Sequence, residues 1–284
     1  MTLVWGTDWH LDFLKSPYAA KNFAAYLMTE NPNAQGLVIT GDISNGKKLE
    51  GHLRELAIGW TKPIYFVLGN HSYYDSSFSD IDSMVKKLTK EVDNLHWLNE
   101  GVVKLDGHVL VGVGGWYDAY HGNSRSQVGL ADWSEIKDLW PGLNNNDLLI
   151  RLIRDRAGQE ADTLARLMKT ACEGTEDIIV ATHVAPYAEA AWHMGKLSDR
   201  DWVPWFSSAS TGAVIDQFAD QYPDKNFIVL CGHGHSPGIY KRRNITVYTG
   251  GARYGTPDIA GKLDLQNKKI RTRDSSGKKV NAFW

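Results

Sequence analysis

The strongest constraint on this chain is a set of short apolar runs, each of which stops at a polar cluster. Leu3-Val4-Trp5-Gly6-Thr7 ends at Asp8, and Gly36-Leu37-Val38-Ile39-Thr40 ends at Gly41-Asp42. Pro63-Ile64-Tyr65-Phe66-Val67-Leu68 ends at Gly69-Asn70-His71. Helical stretches separate these runs, at about Tyr18 to Thr29 and Lys48 to Trp60. Each run is too apolar to leave one face in water, so the alternation predicts a sheet with helices covering its faces. Later, Ile178-Ile179-Val180-Ala181-Thr182 ends at His183, and Phe227-Ile228-Val229-Leu230-Cys231 ends at Gly232-His233-Gly234-His235. Ligands of open α/β sheets bind beyond the carboxyl ends of the strands, so five strand ends can present polar residues to one place.

Between these halves Ser77 to Val92 reads as a helix, and Val102 to Leu105 and His108 to Val113 read as short strands. Residues 147–173 carry the longest helical pattern, with Leu149, Ile153, Ala157, Ala161, Leu164, Met168 and Ala171 at spacings of three and four. The last segments alternate as strands at 245–248, 262–265 and 269–272. Two stretches, 116–146 and 186–210, fit neither pattern. Long irregular insertions are often functional, and these are expected to act as a wall or lid over the site within a single domain spanning 1–284. Trp116, Trp133, Trp140, Trp192, Trp202 and Trp205 fall in or beside them. A small aromatic subcore is the expected outcome, with a stacking platform for a nucleobase as the alternative.

Of the 284 residues 43% are hydrophobic and 23% charged, the balance of a soluble globular protein. A formal charge of -2 argues against electrostatically driven binding to long duplex nucleic acid. No run approaches membrane-spanning length, and MTLVWGTDWH lacks a basic segment followed by an apolar one. A cytoplasmic location without a membrane partner is therefore expected. Cys172 and Cys231 have no CxxC partner and read as buried free thiols.

Asp8 and His10 are one residue apart, and in extended backbone alternate side chains point the same way. A carboxylate and an imidazole together suit zinc, manganese or iron. Asp42 has two carboxylate oxygens and can bridge two cations, which a histidine cannot do. Asn70-His71 offers a neutral oxygen followed by an imidazole, His183 ends a strand, and His233-x-His235 repeats the same-side spacing. Each cluster alone is weak evidence, because Gly-Asp is a common turn and a lone histidine is an ordinary strand terminator. Five clusters at five strand ends leave coincidence as the poorer account.

The ordered set Asp8-x-His10, Gly41-Asp42, Gly69-Asn70-His71, His183 and Gly232-His233-Gly234-His235 closely resembles the signature of the calcineurin-like metallophosphoesterases and spans positions 8 to 235. The resemblance implies an α/β fold, a four-layer α/β/β/α sandwich of two mixed sheets flanked by helices, with the site on loops at one edge. It also implies two divalent or trivalent metal ions, Mn, Fe or Zn. One would be held by Asp8, His10 and His235 and the other by Asn70, His183 and His233, with Asp42 bridging. His71 resembles the family's catalytic non-ligand histidine, which contacts the phosphate with Asn70 and protonates the leaving oxygen. The implied reaction is phosphate-ester hydrolysis by direct attack of a metal-bound hydroxide, with acid help from His71 adding about 10²–10⁴-fold.

Two departures from the family's pattern stand out. Ser72 follows the Asn-His pair where many members carry Asp or Glu, which removes a negative charge that would support the His71 imidazolium. Gly234 stands where threonine is frequent, leaving both flanking ligands intact. The aromatic insertions favour a small phosphodiester or nucleotide-type substrate. A phosphomonoesterase, a protein phosphatase and a catalytically silent scaffold are the alternatives, and the oligomeric state is left open. Trp9 is read as packing or as a pocket wall, and one of Tyr73 and Tyr74 as a substrate contact or both as packing. His121 and His193 read as surface-loop residues and Lys241-Arg242-Arg243 as a solvated turn.

Overall fold

The computed structural model describes residues 1–174 and 176–284. Its first half runs β1 (Thr2–Gly6), α1 (Ala19–Glu30), β2 (Gly36–Thr40), α2 (Gly46–Gly59), β3 (Ile64–Val67), α3 (Phe78–Glu91), β4 (Leu95–Trp97), β5 (Val103–Leu105), β6 (His108–Gly112), α4 (Asp132–Glu135) and α5 (Asn146–Ala171). The second half runs β7 (Asp177–Ala181), a small hairpin of β8 (Trp192–His193) and β9 (Lys196–Leu197), α6 (Val203–Phe206), α7 (Ala209–Gln221) and β10 (Phe227–Cys231). It ends in β11 (Gly238–Arg242), β12 (Ile245–Thr249), β13 (Ile259–Asp264), β14 (Lys269–Arg273) and β15 (Lys279–Phe283).

Two mixed sheets result, one ordered β15-β14-β13-β1-β2-β3-β4 and the other β11-β12-β10-β7-β6-β5. Strands β1 to β4 are parallel neighbours in the first, and β6, β7, β10 and β12 in the second. Side-chain alternation along each strand sorts the layers. Val4, Leu37, Ile39, Ile64 and Phe66 face helices α1 to α3, meeting Ala24, Leu27, Leu49, Leu53, Leu56, Val85 and Leu88. Leu3, Trp5, Val38 and Val67 face the other way and pack on Leu110, Ile179, Ala181, Ile228 and Leu230 of the second sheet. The outer side of that sheet, with Val111, Val180 and Val229, is covered by Leu164 and Met168 of α5 and Ile215 and Phe218 of α7. The four-layer sandwich implied by the resemblance is the architecture found.

Helix α5 links two of these cores. Its Leu149, Ile153 and Ala157 enter the core under the first sheet, and its Leu164 and Met168 the core over the second. Side-chain caps mark four helix starts, with Asn45, Ser77, Asn145 and Ser208 accepting from Lys48, Asp80, Leu148 and Thr211 backbone N–H groups. Both cysteines are free and buried. Among the described residues no helix is long and apolar enough to cross a membrane.

Several segments differ from their sequence reading. Lys241 and Arg242 complete β11 instead of forming a solvated turn, and Arg242 and Arg243 pair with Asp216 of α7. Trp9 is fully buried, its indole N–H donating to the Asp258 carbonyl, so it packs and does not wall a pocket. In the two insertions Trp116, Tyr117 and Trp205 are buried, and Trp133 meets Trp205 edge-on at 5.1 Å, an aromatic subcore. Trp140 alone of these is largely exposed.

Candidate metal centre

Five loops carry the polar clusters, and the sandwich brings them to one edge. Asp8 and His10 follow β1, Asp42 follows β2, and Asn70 and His71 open the 3-10 turn after β3. These belong to the first sheet, whereas His183 follows β7 and His233 and His235 follow β10 in the second. The extended geometry expected of Asp8-x-His10 is not what places the two side chains together. Both residues are left-handed, at φ 49 and 43, as are Asp42 at φ 45, His233 at φ 69 and His235 at φ 57. The chain turns sharply at each, with Asp8 and His10 N–H groups bonded to the Gly41 and Asp42 carbonyls at 3.1 and 2.9 Å. Aspartate and histidine enter this region more readily than most residues, yet each such position stores about 1–3 kcal/mol of strain. Five of the eight side chains singled out by chemistry carry such strain, as do Tyr18, Asp75, Ala119, Met194, Arg243 and Lys268 elsewhere.

The donor atoms form overlapping groups: Asp8 with His10 and His235, His10 with Asp42 and His71, and Asp42 with His183 and His233, each within 4.8 Å. Asp42 Oδ2 lies 3.8 Å from His10 Nε2, 3.4 Å from His183 Nε2 and 3.9 Å from His71 Nε2. Asp8 Oδ1 lies 3.3 Å from His235 Nε2, and His10 Nε2 faces His235 Nε2 at 3.1 Å. Asn70 Oδ1 lies 3.0 Å from His183 Nε2. Backbone acceptors decide which ring nitrogen is free. His183 Nδ1–H donates to the Thr40 carbonyl at 2.9 Å, leaving Nε2 for the centre, and His233 Nε2–H donates to the Trp205 carbonyl at 2.9 Å, leaving Nδ1. Glycines make the approach possible: Gly41 sits at φ +88, and a Cβ on it would overlap the His183 ring.

A profile of the calcineurin-like phosphoesterase family matches residues 1–237. The chain belongs to this family. No curated protein matches the sequence significantly. Among solved structures, a phosphopantetheinyl hydrolase from Mycobacterium tuberculosis is similar at a TM-score of 0.60 and 16% identity, over 89% of each chain. The protein TT1561 of Thermus thermophilus is similar at a TM-score of 0.52 and 14% identity, over 99% of this chain and 98% of that one. A purple acid phosphatase from yellow lupin, Lupinus luteus, has a TM-score of 0.52 and 10% identity, over 100% of this chain and 53% of that one. At such identities these likenesses speak for the fold alone.

Calcineurin-like phosphoesterases are metal-dependent, and the residues here suit cations. Burial opposes charge on Asp8, but its hydrogen bond and charge interaction with His235 prevail and hold the carboxyl below its usual range. Asp42 is held well below its own in the same way, chiefly by His183 and His71 against burial. Burial pushes His10 and His233 down to about 4, so both rings stay neutral with a free lone pair. His10 Nδ1 is buried without a hydrogen-bond partner. Among the described residues, histidines alone pair with Asp8 and Asp42, and no lysine or arginine does. Against burial, Asp42 and Asp8 raise His183 to about 9 and hold His235 above its ordinary value, so the two buried carboxylates are balanced by protons on these rings, a charge that cations supply when the rings act as ligands.

All eight residues singled out by sequence in this calcineurin-like phosphoesterase meet at this centre. Tyr74 joins them, stacked on His71 at 4.2 Å, while Tyr73 is packed in the core. His193 is not a free surface residue, since its Nδ1 lies 3.3 Å from the Gly234 carbonyl beside His235. His121 Nδ1 bonds the Ser207 hydroxyl at 3.0 Å. Sequence reasoning missed Asp132, Tyr254 and Phe13. Tyr254 covers the mouth, its ring 4.4 Å from His10 and 4.8 Å from His235, and Phe13 lies 4.9 Å from Tyr254. No motif marks these residues, because they come from a loop and from helical turns too short to carry a periodicity.

Proposed function

We propose that this chain is a dinuclear metal-dependent hydrolase of phosphate esters that acts on small phosphorylated substrates and favours phosphodiesters or nucleotide-type molecules. The observation that carries the reading is the overlap of two donor groups at one buried carboxylate, Asp42. Asp8, His10 and His235 would hold one cation and Asn70, His183 and His233 the other, with Asp42 reaching both. When bound, such a pair of Mn, Fe or Zn ions neutralises phosphoryl oxygens and lowers the pKa of water.

The chain's own groups do the rest. His71 is partly exposed, at 17% of its side chain against 22% for His235, and lies between the His10 and Tyr74 rings at the rim of the centre. Its Nε2 can deliver a proton there, with the Asp42 carboxylate 3.9 Å away in place of the acid that Ser72 does not provide. Ser72 Oγ instead accepts from the Gly69 N–H at 3.3 Å and shapes the turn. A cavity of about 600 Å³ opens beside Asp8 and His235, with Arg253, Arg273 and Thr256 in its walls. It suits a small anionic molecule more than a protein chain. Support for a nucleotide-type substrate rests on the exposed edge made by Phe13 and Tyr254, since half of the insertion aromatics are buried. Stacking of a base there would contribute about 1–3 kcal/mol.

The test is turnover of bis(4-nitrophenyl) phosphate and 4-nitrophenyl phosphate by protein reconstituted with Mn²⁺, Fe or Zn²⁺. Turnover is expected, faster on the diester. Asp42→Asn should lose both metal and rate, and His71→Ala should keep its metal while slowing by about 10²–10⁴-fold. Faster monoester turnover overturns the substrate preference. Absence of turnover with every metal, or metal held by other residues, overturns the reading itself.

A further inference from the structure

We propose that Asp132 is a positioning residue of the metal centre, fixing the Asn70 amide with its oxygen turned inward and holding Tyr74 against His71. The inference rests on the reading of Asn70 as a metal ligand. Asp132 opens α4 within the 116–146 insertion, 62 positions from Asn70 in sequence. Its side chain is buried, with 1% of the residue exposed, and among the described residues it has no ion-pair partner.

Among the described residues its carboxylate is satisfied by three donors. Oδ1 accepts from Asn70 Nδ2 at 2.8 Å and from the Tyr74 hydroxyl at 2.5 Å, and Oδ2 accepts from the Tyr117 hydroxyl at 2.8 Å. An ionised carboxylate accepts and never donates, so the Asn70 group facing it must be the NH₂. The amide oxygen is thereby forced to the opposite side, where it lies 3.0 Å from His183 Nε2. Without such a partner an asparagine amide can turn over at little cost and present NH₂ to a cation.

The two tyrosines extend the same control. Burial, then the charge of Asp132, pushes both phenols far above their ordinary value, so they remain donors. Tyr74 lies on His71 with ring centroids 4.2 Å apart and planes 25° apart, and Tyr117 lies nearly parallel to His233 at 6.1 Å and 17°. Each of the three bonds from Asp132 thus ends on Asn70 or on a ring stacked against a histidine of the centre. A packing role would be met by an apolar side chain and would not require three donors aimed at one buried charge.

The experiment is Mn²⁺ titration of the metal-free protein, read as two binding steps, with folding followed by circular dichroism and kcat and KM measured alongside. Asp132→Asn should weaken the second Mn²⁺ step by about 10–100-fold, the usual effect of losing an outer partner of a ligand. The first step should keep its affinity, and the fall should appear in kcat more than in KM. Asn70→Asp alone sets two carboxylates face to face, whereas the double variant Asn70→Asp/Asp132→Asn gives the new carboxylate an amide donor. The double variant should therefore bind Mn²⁺ more tightly than Asn70→Asp. This comparison stands even where Asp132→Asn alone folds poorly. An Asp132→Asn variant with wild-type Mn²⁺ steps, or a double variant no better than Asn70→Asp, overturns the inference. A wild-type protein that binds fewer than two Mn²⁺ overturns the metal-centre reading and this inference with it.

Discussion

At Gly232 a single hydrogen atom in place of a methyl group keeps the centre intact. A Cβ there would collide with Thr7 Oγ1 and Asp8 Oδ2, which are bonded to each other at 2.6 Å. The next residue, His233, donates its backbone N–H to both Asp8 oxygens at 3.0 and 3.1 Å, so the carboxylate has nowhere to retreat. Gly232→Ala is expected to lower stability by about 1–3 kcal/mol through overpacking and to weaken Mn²⁺ binding as well. Chemical unfolding and metal titration check the two effects separately, and unchanged affinity would mean that Asp8 adjusts freely. Arg156 makes a contrasting case, because its role is structural. Its guanidinium contacts Asp82 at 3.1 Å, Glu160 at 2.8 Å and the Tyr73 hydroxyl at 2.7 Å, all with little solvent. Arg156→Ala leaves the buried Glu160 carboxylate unpaired and should cost about 3–5 kcal/mol in urea unfolding. A loss within the range of an exposed ion pair, under about 1 kcal/mol, would contradict this account.

Among the elements, the strands that carry the ligands and the amphipathic helices α1, α2, α3 and α5 were legible, and the short or weakly patterned supports were not. Runs such as Leu37-Val38-Ile39 and Ile178-Ile179-Val180 are buried on both faces, so composition and length alone announce a strand, and the polar residues after them announce the site. Helix α5 was equally plain from its long apolar stripe. Helix α7 was not, since its segment mixes Ser210, Thr211, Gly212 and Val214, residues with weak helical preference. It forms because Ser208 caps it and because Ile215, Phe218 and Ala219 find a core over the second sheet. Ser208 Oγ accepts from the Thr211 N–H at 3.3 Å and meets Thr211 Oγ1 at 2.9 Å. Ser208→Ala should therefore lower stability by about 1 kcal/mol, the usual loss of a cap, measured as a shift in urea midpoint with unchanged slope. No change in midpoint would move the origin of α7 wholly to packing. Asp132 was illegible for another reason: its meaning depends on Asn70, Tyr74 and Tyr117, which only the folded chain brings to it.

Across the whole molecule, two of the three donor groups draw on both sheets, while His10, Asp42 and His71 all come from the first. Asp8 and His10 from the first sheet join His235 from the second, and Asp42 from the first joins His183 and His233 from the second. Cations held in this way would tie the two layers together at the edge where the sequence left only loops. They would also relieve the repulsion of two buried carboxylates that, among the described residues, have no lysine or arginine partner. A ligand that binds the folded chain alone stabilises it by RT ln(1 + [L]/Kd), about 2.7 kcal/mol at a hundredfold excess over Kd. Mn²⁺ is accordingly expected to raise the melting temperature over that of chelator-treated protein, by roughly 2 °C or more for each kcal/mol. Asp42→Asn should lose most of the rise, because its carboxylate lies near both groups, 3.8 Å from His10 Nε2 and 3.4 Å from His183 Nε2. Leu164→Ala, which opens a cavity in the remote helical core and costs about 2–5 kcal/mol, should melt lower yet keep the full rise. Scanning calorimetry of the three proteins with and without Mn²⁺ separates these cases. Coincident melts of the Mn²⁺-loaded and chelated wild type would show that no cation joins the sheets.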